Sequence, residues 1–252
     1  MKKSNQPEQS ASGYYYDAGT EGTQAVRLSA QVIVPILMEY FQPNSVVDFG
    51  CGLGDWLSEF SDLGVGNILG LDGEWVPLSS IRIPKACFNV ISFTSDYEVE
   101  GRFDMATCFE VAEHFTDDYS KHLLDALTKA SDIVVFSAAV PGQGGYKHVN
   151  EHFQQEWIDR FSTRGYTALD LIRPRVWMHP DVSFWYQQNI LVFCTESIIR
   201  QHNLQRFPFL SSVIHPELYH RRCDPRNWSV REIIKHIPYY FARIVHNKTQ
   251  NQ

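Results

Sequence analysis

Three glycines at alternate positions, Gly50, Gly52 and Gly54, stand between two acids, Asp48 and Asp55. Glycine lets a backbone bend tightly and approach a ligand with no Cβ in the way. A third acid, Asp72, closes the apolar run Ile68-Leu69-Gly70-Leu71, and Trp75 follows three residues later. A carboxylate there can accept from two neighbouring hydroxyls, and an indole can lie against an aromatic base. Further on, Glu110, Glu113 and His114 fall within five residues, and His148 and His152 follow the flexible stretch Pro141-Gly142-Gln143-Gly144-Gly145-Tyr146. Such residues move protons near neutral pH.

Charge selects the ligand of the glycine turn. A dinucleotide fingerprint needs glycine at 55, where Asp55 stands, and the Gly-Lys-Ser/Thr ending of a phosphate loop is absent. Acids beside the turn repel a pyrophosphate but stabilise a sulfonium and an ammonium. Both cations belong to S-adenosylmethionine (SAM), which carries no phosphate. The plain alternative is a tight turn followed by a loop acid, and the joint spacing of turn, Asp72 and Trp75 speaks against it.

His148-Val149-Asn150-Glu151-His152 matches H-x-x-E-H, a zinc-hydrolase pattern. That pattern needs one continuous helix carrying both imidazoles on one face. Here a glycine-rich loop runs into His148, and Asn150 reads as a helix cap between the two. The sequence therefore gives no metal site. His148 is the first choice of base, because it follows a loop, with Glu113 and His114 beside it.

These residues must be held by alternating elements. Strands are expected at 45–49, 67–71, 102–108, 132–138, 168–172 and 190–194, and helices at 24–41 (with a break at Pro35), 55–63, 117–129 and 150–164. The last two strands are joined without a good helix, so the final strand is expected to run antiparallel near an edge. Residues 1–12 read as a disordered N-terminus, 13–198 as the ligand-binding domain with its leading helix, and 199–252 as a helical extension broken at Pro238. Tyr14-Tyr15-Tyr16-Asp17 is either a lid or an aromatic anchor.

Composition bounds the rest. A 252-residue chain with 44% hydrophobic residues can fill a core. Net charge is −7 and no basic tract exists, which argues against nucleic acid as partner. From residue 215 onward seven Lys/Arg face three acids, a tail of +4 against −11 for the remainder. With Tyr239, Tyr240 and Phe241 that tail suggests weak contact with an anionic membrane surface, or simply a solvated face. Five scattered cysteines without C-x-x-C, and an N-terminus without an apolar signal segment, point to a reducing, cytoplasmic setting.

The segment Val46-Val47-Asp48-Phe49-Gly50-Cys51-Gly52-Leu53-Gly54 resembles motif I of class I SAM-dependent methyltransferases. Ile68 to Gly73 resembles their second motif, and Phe103 to His114 the fourth-strand motif of the branch with an E-V-x-E-H signature. The resemblance implies an α/β, Rossmann-like, mostly parallel seven-stranded sheet with helices on both faces. It implies SAM contacts by Asp48, Gly50, Gly52 and Asp72; Gly54, Gly73, Trp75 and Glu110, in or beside these segments, complete the expected cofactor set. Where the branch carries an Asp-Leu pair this chain has Ser92-Phe93, so Ser92 takes the adenine position. The blocks 137–151, 172–177 and 184–189 are similar to a bacterial subgroup linked to surface polysaccharide or small-metabolite synthesis. A small hydroxylated metabolite or glycan is thus the expected acceptor, and O-methylation the expected reaction. The alternatives are a SAM-binding regulatory protein without turnover and a nicotinamide oxidoreductase.

Overall fold

The computed structural model describes residues 21–95, 97, 99–206 and 212–250. The expected disordered segment 1–12 and the tyrosines at 14–16 with Asp17 lie outside the described residues. The chain divides into two compact units, with the boundary between Val213 and Ile214.

The first unit is built on a seven-stranded sheet. Its strands are β1 (Ser45–Phe49), β2 (Asn67–Asp72), β3 (Phe88–Val90), β4 (Met105–Phe109), β5 (Ile133–Ser137), β6 (Tyr166–Leu169) and β7 (Leu191–Thr195), in the order β3-β2-β1-β4-β5-β7-β6. The pairings from β3 to β5 are all parallel. β7 is antiparallel to both β5 and β6, one place in from the edge. Crossover helices at Asp55–Asp62 and Asp117–Ala130 join β1 to β2 and β4 to β5, whereas β2 reaches β3 through a long connection holding only the 3₁₀ turn Lys85–Cys87. β6 and β7 are joined only through the short helices α5 (Arg173–Val176) and α6 (Phe184–Asn189), after which the chain returns in the opposite sense. β3 escapes a reading of periodicity because it is three residues long with a single buried side chain.

Alternation along the strands feeds two cores. Val46, Ile133, Val135, Val192 and Cys194 pack on one face, with α1 (Glu21–Phe41) and α2 (Asp55–Asp62). Val47, Val134, Phe136, Leu191 and Phe193 pack on the other, with α3 (Asp117–Ala130) and α4 (Gln154–Ser162). Side chains of successive strand residues point to opposite faces, so a strand buried on both sides is apolar throughout.

Two local expectations are corrected. α1 runs through Pro35 without a break, because Ile33, Val34, Ile36 and Leu37 are buried on either side of it and pin both halves. α4 begins at Gln154, and Asn150 is not its cap. Asn150 is instead buried: its Nδ2 donates to Ser120 Oγ (3.0 Å) and its backbone N–H to the Glu113 carbonyl (3.1 Å), tying the loop to α3.

α7 (Glu196–Gln201) follows β7. In the second unit α8 (Pro216–Cys223) precedes α9 (Val230–Gln250), which runs through Pro238 without the expected break and exposes Ile234, Tyr239 and Phe241. Among the described residues no helix is long and apolar enough to cross a membrane.

Candidate active site

The turn after β1 is drawn against the end of β2. The N–H groups of Gly50 and Cys51 both donate to the Leu71 carbonyl, at 2.7 and 3.1 Å. Gly50 holds φ at 78°, and a Cβ there would stand 2.4 Å from Val111 Cγ2. Only glycine meets both conditions. Gly54, at φ 81°, leads into α2.

Asp72, at the end of β2, fixes this turn from the other side. Its Oδ2 accepts from Gly52 N–H and its Oδ1 from Gly73 N–H, each at 2.7 Å. Burial raises its pKa to about 6 against these backbone bonds and a hydrogen bond from Trp75. The Trp75 ring lies over Gly73, where any Cβ would come within 2.3 Å of it.

A cavity of about 380 Å³ opens above the carboxyl ends of β1, β2 and β4. The backbone from Gly50 to Leu53 lines one end, with Asp55, Asp72 and Trp75. Phe93, Phe109 and Tyr186 line the apolar wall, Trp56 packing on Phe109 (centroids 4.1 Å apart) and edge-on to Tyr186 (5.1 Å). At the other end stand Glu110, His114 and Lys147.

Glu110 leaves β4 at φ 55°. Gln143 Nε2 donates to its Oε2 (2.7 Å) and Asn189 Nδ2 to its Oε1 (3.1 Å). Burial raises its pKa to about 7, opposed by those two bonds. A 3₁₀ turn, Ala112–His114, then places Glu113 and His114. Glu113 is wholly buried; its carboxyl oxygens make no hydrogen bond of good geometry, with the Glu110 carboxyl and the backbone of Glu113 and Ala139 nearest to them. Burial first, and the charge of Glu110 second, push its pKa well up. His114 meets His148 edge-to-face with centroids 4.9 Å apart, and burial lowers its pKa to about 4. His148 Nδ1 lies 3.0 Å from Glu151 Oε1, and the Glu151 carboxylate also accepts from Gly142 and Gly144 N–H. His152 turns elsewhere, to Asp117 and Arg160. The two imidazoles of H-x-x-E-H therefore serve different partners.

A profile described as "Methyltransferase domain" matches residues 25–169, more than half of the chain. The chain belongs to this methyltransferase family. Its sheet is that of the Rossmann-like methyltransferases. Among solved structures it is similar to magnesium protoporphyrin IX methyltransferase (ChlM) from Synechocystis PCC 6803 with bound SAM. That match has 14% identity, a TM-score of 0.52, and covers 72% of this chain and 88% of that one. It is also similar to Streptomyces venezuelae DesVI, at 12% identity and a TM-score of 0.55, covering 72% of this chain and all of the other. Against TnmH the identity is 17% and the TM-score 0.46, and the match covers 69% of this chain but 57% of TnmH. A search of the curated proteins found no sequence match.

The cofactor of the methyltransferase is SAM. The cavity fits it: three carboxylates, Asp55, Asp72 and Glu110, face it beside a glycine turn that leaves backbone room. Of the residues expected from sequence, Gly50, Gly52, Asp72, Trp75, Glu110 and His114 line this cavity. Asp48, Gly54, Gly73, Ser92, Glu113 and His148 are not in its lining. Asp48 sits behind the turn, its Oδ1 accepting from Thr107 Oγ1 at 2.7 Å, and burial raises its pKa to about 7. Gly73 lies under Trp75. Ser92 is exposed and turns to Thr94, while its neighbour Phe93 faces the cavity. Glu113 and His148 lie behind His114.

Sequence reasoning passed over Phe93, Lys147, Trp185, Tyr186 and the amides of Gln143 and Asn189. Trp185, Tyr186 and Asn189 lie in a polar-aromatic run, Phe184–Asn189, where Tyr186, Gln187, Gln188 and Asn189 are all buried. Three consecutive amides beside aromatics were the available signal, since buried amides need partners.

Proposed function

We propose that this methyltransferase moves the methyl group of SAM to a hydroxyl group of a small metabolite or glycan. The observation that carries the reading is one cavity with two chemically different ends: a glycine turn with Asp55 and Asp72 at one, Glu110 and His114 at the other. SAM, when bound, supplies an electrophilic methyl group on a sulfonium. The backbone of Gly50–Leu53 gives the cofactor room, Asp72 offers carboxylate oxygens to ribose hydroxyls, and Trp75 offers an aromatic face. Trp56, Phe109 and Tyr186 give the cavity an apolar wall against which the methyl group can lie.

A hydroxyl acceptor must give up its proton as it attacks. Glu110 is placed for this task, being on the cavity wall and oriented through both oxygens by Gln143 and Asn189. His148, held by Glu151 behind His114, orients that side of the cavity. ChlM, a methyltransferase of the same fold, is named for a small-molecule substrate, which supports a small acceptor here.

Calorimetric titration with SAM, followed by incubation with labelled SAM and fractionated metabolites and glycans, tests the reading. Binding together with label transfer to a hydroxylated fraction is expected. Binding without any S-adenosylhomocysteine would favour an accessory protein, and transfer to an amine or carbon would remove the hydroxyl acceptor.

A further inference from the structure

We propose that Glu113, His114 and His148 bind a divalent transition-metal ion beside the acceptor end of the cavity. One ligand atom from each lies within 4.8 Å of the other two. Two ligands of one ion stand at most about 4.2 Å apart, twice a bond of about 2.1 Å. Closing the set therefore takes side-chain rotations of about an ångström, with no rearrangement of the backbone.

The Glu113 carboxyl is the observation that asks for a ligand. It is wholly buried, and its oxygens make no hydrogen bond of good geometry: only the backbone of Glu113 and Ala139 and the Glu110 carboxyl stand near them. A buried carboxyl so weakly satisfied is uncommon, and a bound cation would ionise it and give both oxygens a partner. The surroundings already have the form of a metal site's outer layer. His148 Nδ1 is 3.0 Å from Glu151 Oε1, and Glu151 is itself fixed by the N–H groups of Gly142 and Gly144. An imidazole anchored to a carboxylate through one nitrogen presents the other in a fixed direction, as ligating histidines do. His114 is held by the backbone of Tyr146 and Lys147. The loop 141–148 is thus fastened around the cluster, and the Glu113 carbonyl accepts from Val149 and Asn150 to close it from behind.

Two imidazoles with one carboxylate suit Mn²⁺, Fe²⁺, Co²⁺ or Zn²⁺ better than Mg²⁺ or Ca²⁺, which prefer oxygen alone. Three protein ligands leave positions open. His114 is on the cavity wall, so an open position faces the acceptor. The ion's role there rests on the hydroxyl acceptor proposed above: it would hold the acceptor oxygen and lower its pKa, while Glu110 takes the proton. The sequence points to no metal because its zinc-like pattern pairs His148 with His152, whereas the fold pairs His148 with His114.

The test is metal binding by the full-length, chelator-treated protein without SAM. Equilibrium dialysis is expected to give one Mn²⁺ or Co²⁺ per chain, with Mg²⁺ competing only weakly. Glu113→Gln and His148→Gln should each weaken binding at least tenfold, and His152→Gln should leave it unchanged. Pulsed electron paramagnetic resonance of Mn²⁺ in the parent protein should show histidine nitrogen coupling, a readout that needs no variant. A parent that binds no ion, nitrogen coupling that is absent, or loss of binding in His152→Gln rather than His148→Gln would overturn the proposal. A SAM titration of the same sample reads the proposed function separately, so the failure of one is distinct from the failure of the other.

Discussion

The carboxylate of Asp72 accepts the backbone N–H of Gly52 at 2.7 Å, joining the ends of two neighbouring strands across twenty residues of sequence. The parallel register that sets Phe49 opposite Leu71 brings them together. One acid thereby shapes the glycine turn and also faces the cavity. Asp72→Ala is expected to weaken SAM binding at least tenfold by calorimetry. SAM affinity equal to the parent's would remove Asp72 from the cofactor site.

Gly50 and Gly101 make a matched pair. Both hold positive φ, 78° and 79°, but a Cβ at Gly50 strikes Val111 while nothing lies within 4 Å at Gly101. Gly101→Ala should cost only the left-handed backbone penalty, about 1–2 kcal/mol. Gly50→Ala should cost roughly 1–3 kcal/mol more through overpacking and lose SAM binding. Urea unfolding of both variants checks the difference. Adding Val111→Ala should restore part of the stability lost at Gly50.

Two buried acids behind the turn set a pH dependence. Burial raises Asp72 to about 6 and Asp48 to about 7, from an ordinary value of 3.8. Between pH 4 and 7 the folded chain holds protons that the unfolded chain has released, so these groups stabilise the fold most below pH 4. That contribution is lost as pH rises through 6 and 7. Asp48→Asn removes one of the two charges. It should be about as stable as the parent at pH 4, and more stable by roughly 1–3 kcal/mol at pH 8. Denaturant curves at the two pH values decide it, and a variant equally stable or weaker at pH 8 contradicts the assignment.

His148 stands behind the cavity wall, in edge contact with His114. His148→Ala is expected to lower turnover about a hundredfold or more while SAM affinity stays within about threefold, the pattern of a group needed only after the cofactor is bound. Single-turnover rates beside calorimetry separate the two, and equal losses in both would assign it to cofactor binding instead.

SAM affinity itself should rise with pH through about 6, because hydroxyl donors favour the charged form of Asp72. Calorimetry at pH 5 and 7.5 measures this, and in Asp72→Asn the rise should vanish.

The sequence by itself determined the alternation of strands and helices, the glycine turn with its acids, and the family. Each of these is local: a strand buried on both faces must be apolar, a tight turn must be glycine, and the E-V-x-E-H run is contiguous. It also put Asp72 at the end of the strand Ile68 to Leu71, where the sheet has it. What tertiary structure decided were the relationships that cross the chain. Asp48 and Asp72 read alike as strand-end acids, yet Asp48 is claimed by Thr107 from the neighbouring β4 and Asp72 by the turn. Ser92, offered for the adenine, is exposed while its neighbour Phe93 faces the cavity, a choice set by how the turn at 92–95 folds. His148 parts from His152 because the loop bends toward Glu113 before α4 begins. Such pairings depend on which backbone groups meet in space, and spacing along the chain does not encode them.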